Sequence, residues 1–119
     1  MVRPADDDLV YGLCSVGDGG GILDKITFTA LDWRPGMRLE LTCPDARVLL
    51  ARPVPAGGVA MTEGGYFRVP YRLRRRVGLL IGQRTLLIGH RSRRVLLIHP
   101  PAALEELCAA SLRLLEAGA

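Results

Sequence analysis

Five arginines fall within nine residues: Arg68, Arg72, Arg74, Arg75 and Arg76. A guanidinium carries a permanent charge and a planar fork of donors that matches phosphate and base edges, so a cluster of them binds polyanions rather than making or breaking bonds. The plain alternative is a solvated helix face. No catalytic constellation accompanies the cluster. The run Gly17-Asp18-Gly19-Gly20-Gly21 lacks the spacing and the Lys-Ser/Thr pair of a phosphate loop. His90 and His99 have no partners at metal-ligand spacing, and Asp6-Asp7-Asp8 reads as a frayed terminus. No Ser or Cys nucleophile has a plausible His and carboxylate. The sequence therefore points to a binding protein, not an enzyme, with no cofactor or metal. With one Trp, three Tyr and two Phe, and no alternation of basic and aromatic residues, a surface that stacks single-stranded DNA or RNA is poorly supported.

The arginines need a short helix to present them. Pro70 suits a first helical position and Gly78 a C-terminal cap, which leaves Tyr71 to Val77 as barely two turns. At about 100° per residue, Leu73 and Val77 share an inward face, Arg72, Arg75 and Arg76 project from another, and Arg74 points between them. Upstream, Val59 to Thr62 and Tyr66 to Val69 read as strands around Glu63-Gly64-Gly65. Downstream, Leu86-Leu87-Ile88 and Val95-Leu96-Leu97-Ile98 flank a turn at His90-Arg91-Ser92. These runs lack polar alternation, which predicts a hairpin buried on both faces. Arg91, Arg93 and Arg94 at its tip read as solvated.

The same order occurs earlier in the chain. Gly20-Gly21, a strand from Ile22 to Ile26, a helical turn from Thr27 to Trp33 and Pro35-Gly36 precede a hairpin of Met37 to Thr42 and Arg47 to Ala51, turning at Pro44-Asp45. The internal period is near 46 residues, and such a period must be recognised before elements are assigned. Two copies are too few for a solenoid, so they are expected to pack on each other. Residues 1–53 form the first copy, 54–58 a Pro/Gly linker, 59–100 the second copy and 101–119 a C-terminal helix. Leu9 to Val16 reads as an additional leading strand. In the last segment Leu104, Leu107, Cys108, Ser111, Leu112 and Leu115 make one apolar stripe, predicting an amphipathic helix from Ala102 to about Ala117 that either covers the sheet or meets another subunit.

Charge separates the copies. Residues 1–58 hold six Lys or Arg against eight Asp or Glu, a net −2, whereas residues 59–119 hold ten against four, a net +6. Fifteen of the sixteen basic residues are Arg; a G+C-rich coding sequence accounts for much of that choice but not for the clustering. At 119 residues and 49% hydrophobic content, the chain is sized for one globular domain. No apolar run reaches the ~18 residues of a membrane span, and Met-Val-Arg-Pro followed by aspartates is no secretory signal. Cys14, Cys43 and Cys108 lack redox or metal spacing and are read as reduced. A cytoplasmic protein without membrane partners is expected.

The order of Gly65, Arg68, Val69-Pro70, Arg72, Leu73, Val77-Gly78, Ile81-Gly82-Gln83, Leu86 to Ile88 and Val95 to Pro100 resembles the AbrB/MazE/SpoVT family of swapped-hairpin DNA-binding domains. Gly20 to Pro53 is similar in a degenerate form, keeping Leu31, Trp33-Arg34-Pro35-Gly36 and the hairpin. The resemblance implies a mainly β fold, a swapped-hairpin AbrB-like barrel built from two tandem half-barrel repeats, with short helices and the C-terminal helix. It also implies a transcriptional regulator whose Arg68, Arg72, Arg74, Arg75 and Arg76 face double-stranded DNA, working as a homo-oligomer, comparable in plan to tandem-repeat MraZ-type regulators. The first copy lacks the Arg68-Val69-Pro70 segment and the arginine helix, and its strand-to-helix stretch reads as about two residues shorter. A competing reading is a protein-interaction or scaffold module, antitoxin-like or oligomeric, that has lost DNA binding.

Overall fold

The structure is a computed structural model that describes residues 7–45 and 47–118. Met1 to Asp6, including the first aspartate of the acidic run and the whole Met-Val-Arg-Pro opening, lie outside them, as do Ala46 and Ala119. The chain is mainly β with short helices: β1 (Leu9–Ser15), β2 (Gly21–Ile22), α1 (Lys25–Ala30), β3 (Arg38–Asp45), β4 (Val48–Val54), β5 (Val59–Ala60), β6 (Phe67–Arg68), α2 (Tyr71–Val77), β7 (Arg84–His90), β8 (Val95–His99), α3 (Pro101–Leu107) and α4 (Ala109–Glu116). Six strands form one antiparallel sheet in the order β1-β7-β8-β4-β3-β5, and β2 pairs with β6 in a second, small ladder. β1 and β5 are the two ends of the large sheet, so hydrogen bonding does not close it into a barrel.

That strand order reads the same from either end once the repeat is taken into account. Each copy's leading strand pairs with the other copy's hairpin: β1 with β7 and β5 with β3. The two contacts use the same bonds. Val16 N–H donates to the Gln83 carbonyl at 2.8 Å and Gly82 N–H to Val16 at 2.7 Å, while Met61 N–H donates to Met37 at 2.8 Å and Gly36 N–H to Met61 at 2.7 Å. The hairpins meet side by side through β4 and β8, with Leu50 opposite Leu97 at the centre. A local two-fold relation therefore runs between the hairpins and through the Ile22–Phe67 pair of the small ladder.

The residues on the inner face of the sheet explain its stability. Leu49, Ala51, Leu87, Leu96 and Ile98 are fully buried, together with Leu39, Leu79 and Phe67. Phe28, Trp33 and Phe67 form an aromatic cluster with ring centroids 5.4 to 6.1 Å apart, placing Trp33 in the core. Both copies contribute to this one core, because neither short hairpin can shield its apolar face alone.

Several expectations are corrected. The hairpins are not buried on both faces: Leu86, Ile88, Val95 and Leu97 on the outer face are only half-buried. Ile26 belongs to α1 rather than to a strand. The first turn falls after Asp45, since Pro44 is accommodated inside β3 where the register shifts between Thr42 and Asp45. Val54 continues β4 instead of starting the linker; β8 pairs with β4 only from Leu49 to Ala51, so the missing N–H of Pro53 removes no bond to β8. The C-terminal helix is two helices broken at Cys108 (φ −91°, ψ 9°). Ala103 in α3 is buried, but α4 buries nothing, and its leucines are uncovered within the chain. No helix among the described residues is long and apolar enough to cross a membrane.

Candidate nucleic-acid interface

The local signals around the arginines work as turn chemistry requires, shifted by one residue at the start. Pro70 is the residue before the helix (φ −56°, ψ 145°), not its first turn, and Tyr71 opens α2. Gly78 ends it in the left-handed region (φ 72°, ψ 34°), and Leu79 N–H returns to the Arg74 carbonyl at 2.8 Å. Arg74, Arg75 and Arg76 occupy the last turn, where positive charge also complements the helix dipole.

The five predicted arginines separate into two kinds. Arg72, Arg75 and Arg76 are exposed on α2. Arg68, on β6, is exposed but braced: its Nη2 donates to the Tyr66 hydroxyl at 3.1 Å and its guanidinium carbon lies 5.1 Å from that ring's centroid. Arg74 is half-buried, and its Nε donates to the Val69 carbonyl at 3.0 Å. Its guanidinium carbon is also 5.5 Å from the Tyr71 ring centroid.

Beneath Arg68 and Arg74 lies the glycine-rich loop. Gly19 and Gly20 have φ of 67° and 85°, and a methyl added to them would come within 3.0 Å of Arg68 Nε and 2.5 Å of Arg74 Nε respectively. The glycine run thus supplies bare backbone on which two arginines lie, a role invisible in its spacing. Sequence reasoning also passed over Tyr66 and Tyr71; Tyr71 three residues before Arg74 was the available signal.

Ion pairing sharpens the contrast between the copies. Arg34 pairs with Asp32 at 2.9 Å, Arg52 with Glu40 at 2.6 Å, and Arg47 with Glu106. Among the described residues no salt bridge engages Arg68, Arg72, Arg74, Arg75 or Arg76. Arg94, expected to be solvated, is instead half-buried: its Nε donates to the Leu31 carbonyl at 3.1 Å and its Nη2 to that of Asp32 at 2.9 Å. Arg91 Nε donates to the Asp7 carbonyl at 3.0 Å.

The first copy's counterpart is chemically different. α1 and α2 start at Lys25 and Tyr71, and Gly36 and Gly82, both at φ 87°, follow them at the same spacing, so Ile26 stands where Arg72 does and Phe28 where Arg74 does. Counted from the Ile22–Phe67 pair to the helix, the first copy has Leu23 and Asp24 where the second has Arg68, Val69 and Pro70. It is shorter by one residue, not two. Comparison with protein-family models, with curated proteins and with solved structures returned no match.

Proposed function

We propose that the protein is a DNA-binding transcriptional regulator that contacts duplex DNA through the second copy. One observation carries this reading: the arginines of α2 and β6 have no salt bridge among the described residues, whereas Arg34, Arg47 and Arg52 of the first copy do. Lone positive charges clustered on one element are the footprint of a polyanion partner. The resemblance of the second copy to AbrB-type swapped-hairpin domains supports the same assignment.

In this reading Arg72, Arg75 and Arg76 contact phosphates or base edges, Arg68 joins them from β6, and Arg74 holds the helix in place while adding charge. Four exposed guanidiniums neutralising four phosphates would give a log K against log salt slope of about −3.6 per chain. That favours weak binding by one chain, and a homo-oligomer presenting two arginine faces raises it. The uncovered leucines of α4, Leu112, Leu114 and Leu115, are the proposed contact between chains.

The test is fluorescence anisotropy with duplex DNA across a salt series, beside the mass of the protein in solution. Arg72→Ala with Arg75→Ala is expected to flatten the slope by about two, and Leu115→Glu to lower the mass and the affinity together. Binding that is independent of salt, or unchanged in the double variant, would refute the assignment.

A further inference from the structure

Beside α1 the molecule carries an open groove of about 610 Å³. Buried Phe28, Trp33 and Met61 give it an apolar floor, exposed Leu23 and Ile26 stand at its mouth, and Glu63 and Lys25 charge its rim. The local two-fold relation shows what fills the equivalent space in the other copy.

The loop Gly17–Gly21 corresponds to Thr62–Tyr66. Gly17 N–H donates to Gly21 and Gly20 N–H to Gly17, while Thr62 N–H donates to Tyr66 and Gly65 N–H to Thr62; Gly20 and Gly65 share φ values of 85° and 83°. Over Gly20 lies Arg74, its Nε 2.5 Å from where a methyl would project and bonded to the Val69 carbonyl just before the helix. Over Gly65 there is nothing within 4 Å. Phe28, the counterpart of Arg74, has turned inward against Trp33 and Phe67, which leaves the slot open. Among the described residues no side chain donates to the Leu23 carbonyl, the counterpart of the acceptor Arg74 uses.

We propose that this groove is a docking site for an arginine side chain carried by a peptide segment of a partner protein. The occupied copy shows that a guanidinium on an aliphatic stem fits such a slot. The empty copy adds one acidic group at the rim, the exposed Glu63 carboxylate; that of Asp24 is held under α1 by Thr27. A peptide fits better than a free small molecule because Leu23 and Ile26, 52% and 78% exposed, stand at the mouth, where one side chain in the groove would leave them in water. Apolar residues flanking the arginine cover them. The site does not depend on the DNA-binding reading and lies on the other copy.

Trp33, the chain's one tryptophan, lines the groove and reports on it. The full-length protein is titrated with acetyl-Leu-Arg-Leu-amide, with the citrulline analogue of the same shape and no charge, and with N-acetylarginine amide. Trp33 fluorescence and backbone amide shifts are followed. The arginine tripeptide is expected to saturate, with shifts confined to Leu23–Thr29 and Glu63–Gly65, and the citrulline analogue to bind at least about fivefold more weakly. Glu63→Gln should weaken the tripeptide by a similar factor, and Ile26→Arg, at an exposed position, should abolish its binding. No saturation up to about 20 mM, equal binding of the citrulline analogue, or shifts centred elsewhere would overturn the site. N-acetylarginine amide binding as tightly as the tripeptide would overturn the assignment to a partner segment.

Discussion

Arg74 donates its Nε to the Val69 carbonyl at 3.0 Å, tying the middle of α2 to the chain just ahead of Pro70. The bond spans the strand-to-helix junction and lies against Gly20 of the other copy, so one side chain sets the helix on the loop beneath it. Arg74→Ala is expected to lower stability by about 1–2 kcal/mol in chemical denaturation. Arg74→Lys should not restore it, because an ammonium at the end of a flexible stem cannot reproduce a side-on Nε bond. Equal stability of wild type and Arg74→Ala would mean the bond contributes nothing.

Arg94 and Trp33 bind the two copies reciprocally. The indole N–H of Trp33 donates to the Arg94 carbonyl at 3.1 Å, and the Arg94 guanidinium returns to the carbonyls of Leu31 and Asp32. Arg94 also holds φ at 57°, a conformation glycine adopts without strain. Arg94→Ala keeps the strained backbone and should cost the lost bonds, about 1–3 kcal/mol, with a shift in Trp33 emission. Arg94→Gly loses the same bonds but relieves the strain, so it should cost about 1 kcal/mol less. A less stable Gly variant would contradict this partition.

His99 is buried beneath α3, and among the described residues its Nδ1 has no hydrogen-bond partner. Burial pushes its pKa below the ordinary 6.5, outweighing smaller opposing effects of the Leu86 backbone and Asp45. Since the unfolded chain then binds the proton more readily, the contribution of His99 to stability is complete above about pH 6.5 and declines on acidification below it. The difference in unfolding free energy between wild type and His99→Gln should change as pH falls below about 6.5 and stay flat above it. A difference that changes instead between pH 7 and 8 would mean the opposite shift.

Gly12 lies where β1 passes under the start of α1. A methyl there would fall 1.9 Å from Asp24 Oδ2 and 2.6 Å from Thr27 Oγ1, two groups bonded to each other at 2.9 Å. Gly12→Ala should break that bond or push α1 from the sheet and destabilise by about 1–3 kcal/mol. Asp24→Ala in the same chain should recover part of the loss, since it removes the nearest obstacle; additive losses would show that the clash is elsewhere.

What was legible in the amino-acid order was what short-range physics governs. The duplicated order of turns, helix and hairpin, the ends of α2 near Pro70 and Gly78, and the exposure of Arg72, Arg75 and Arg76 follow from backbone preferences and the 3.6-residue period. The apolar stripe of the last segment was equally plain, although not its break at Cys108. Harder to read was the outer face of the hairpins, because an unbroken apolar run carries no mark of which face is covered.

Only the tertiary structure decided which strands join and what each arginine does. β1 pairs with β7, and β5 with β3, because an antiparallel edge is completed by whichever strand long-range packing brings beside it, and nothing local in Leu9–Ser15 names a partner some 70 residues away. Arg74, Arg75 and Arg76 are one run in sequence, yet Arg74 alone has a carbonyl acceptor within reach, as Arg94 does across the copies. Charge is a property of the residue, but whether that charge faces solvent, a backbone carbonyl or an empty groove depends on groups that only folding brings together.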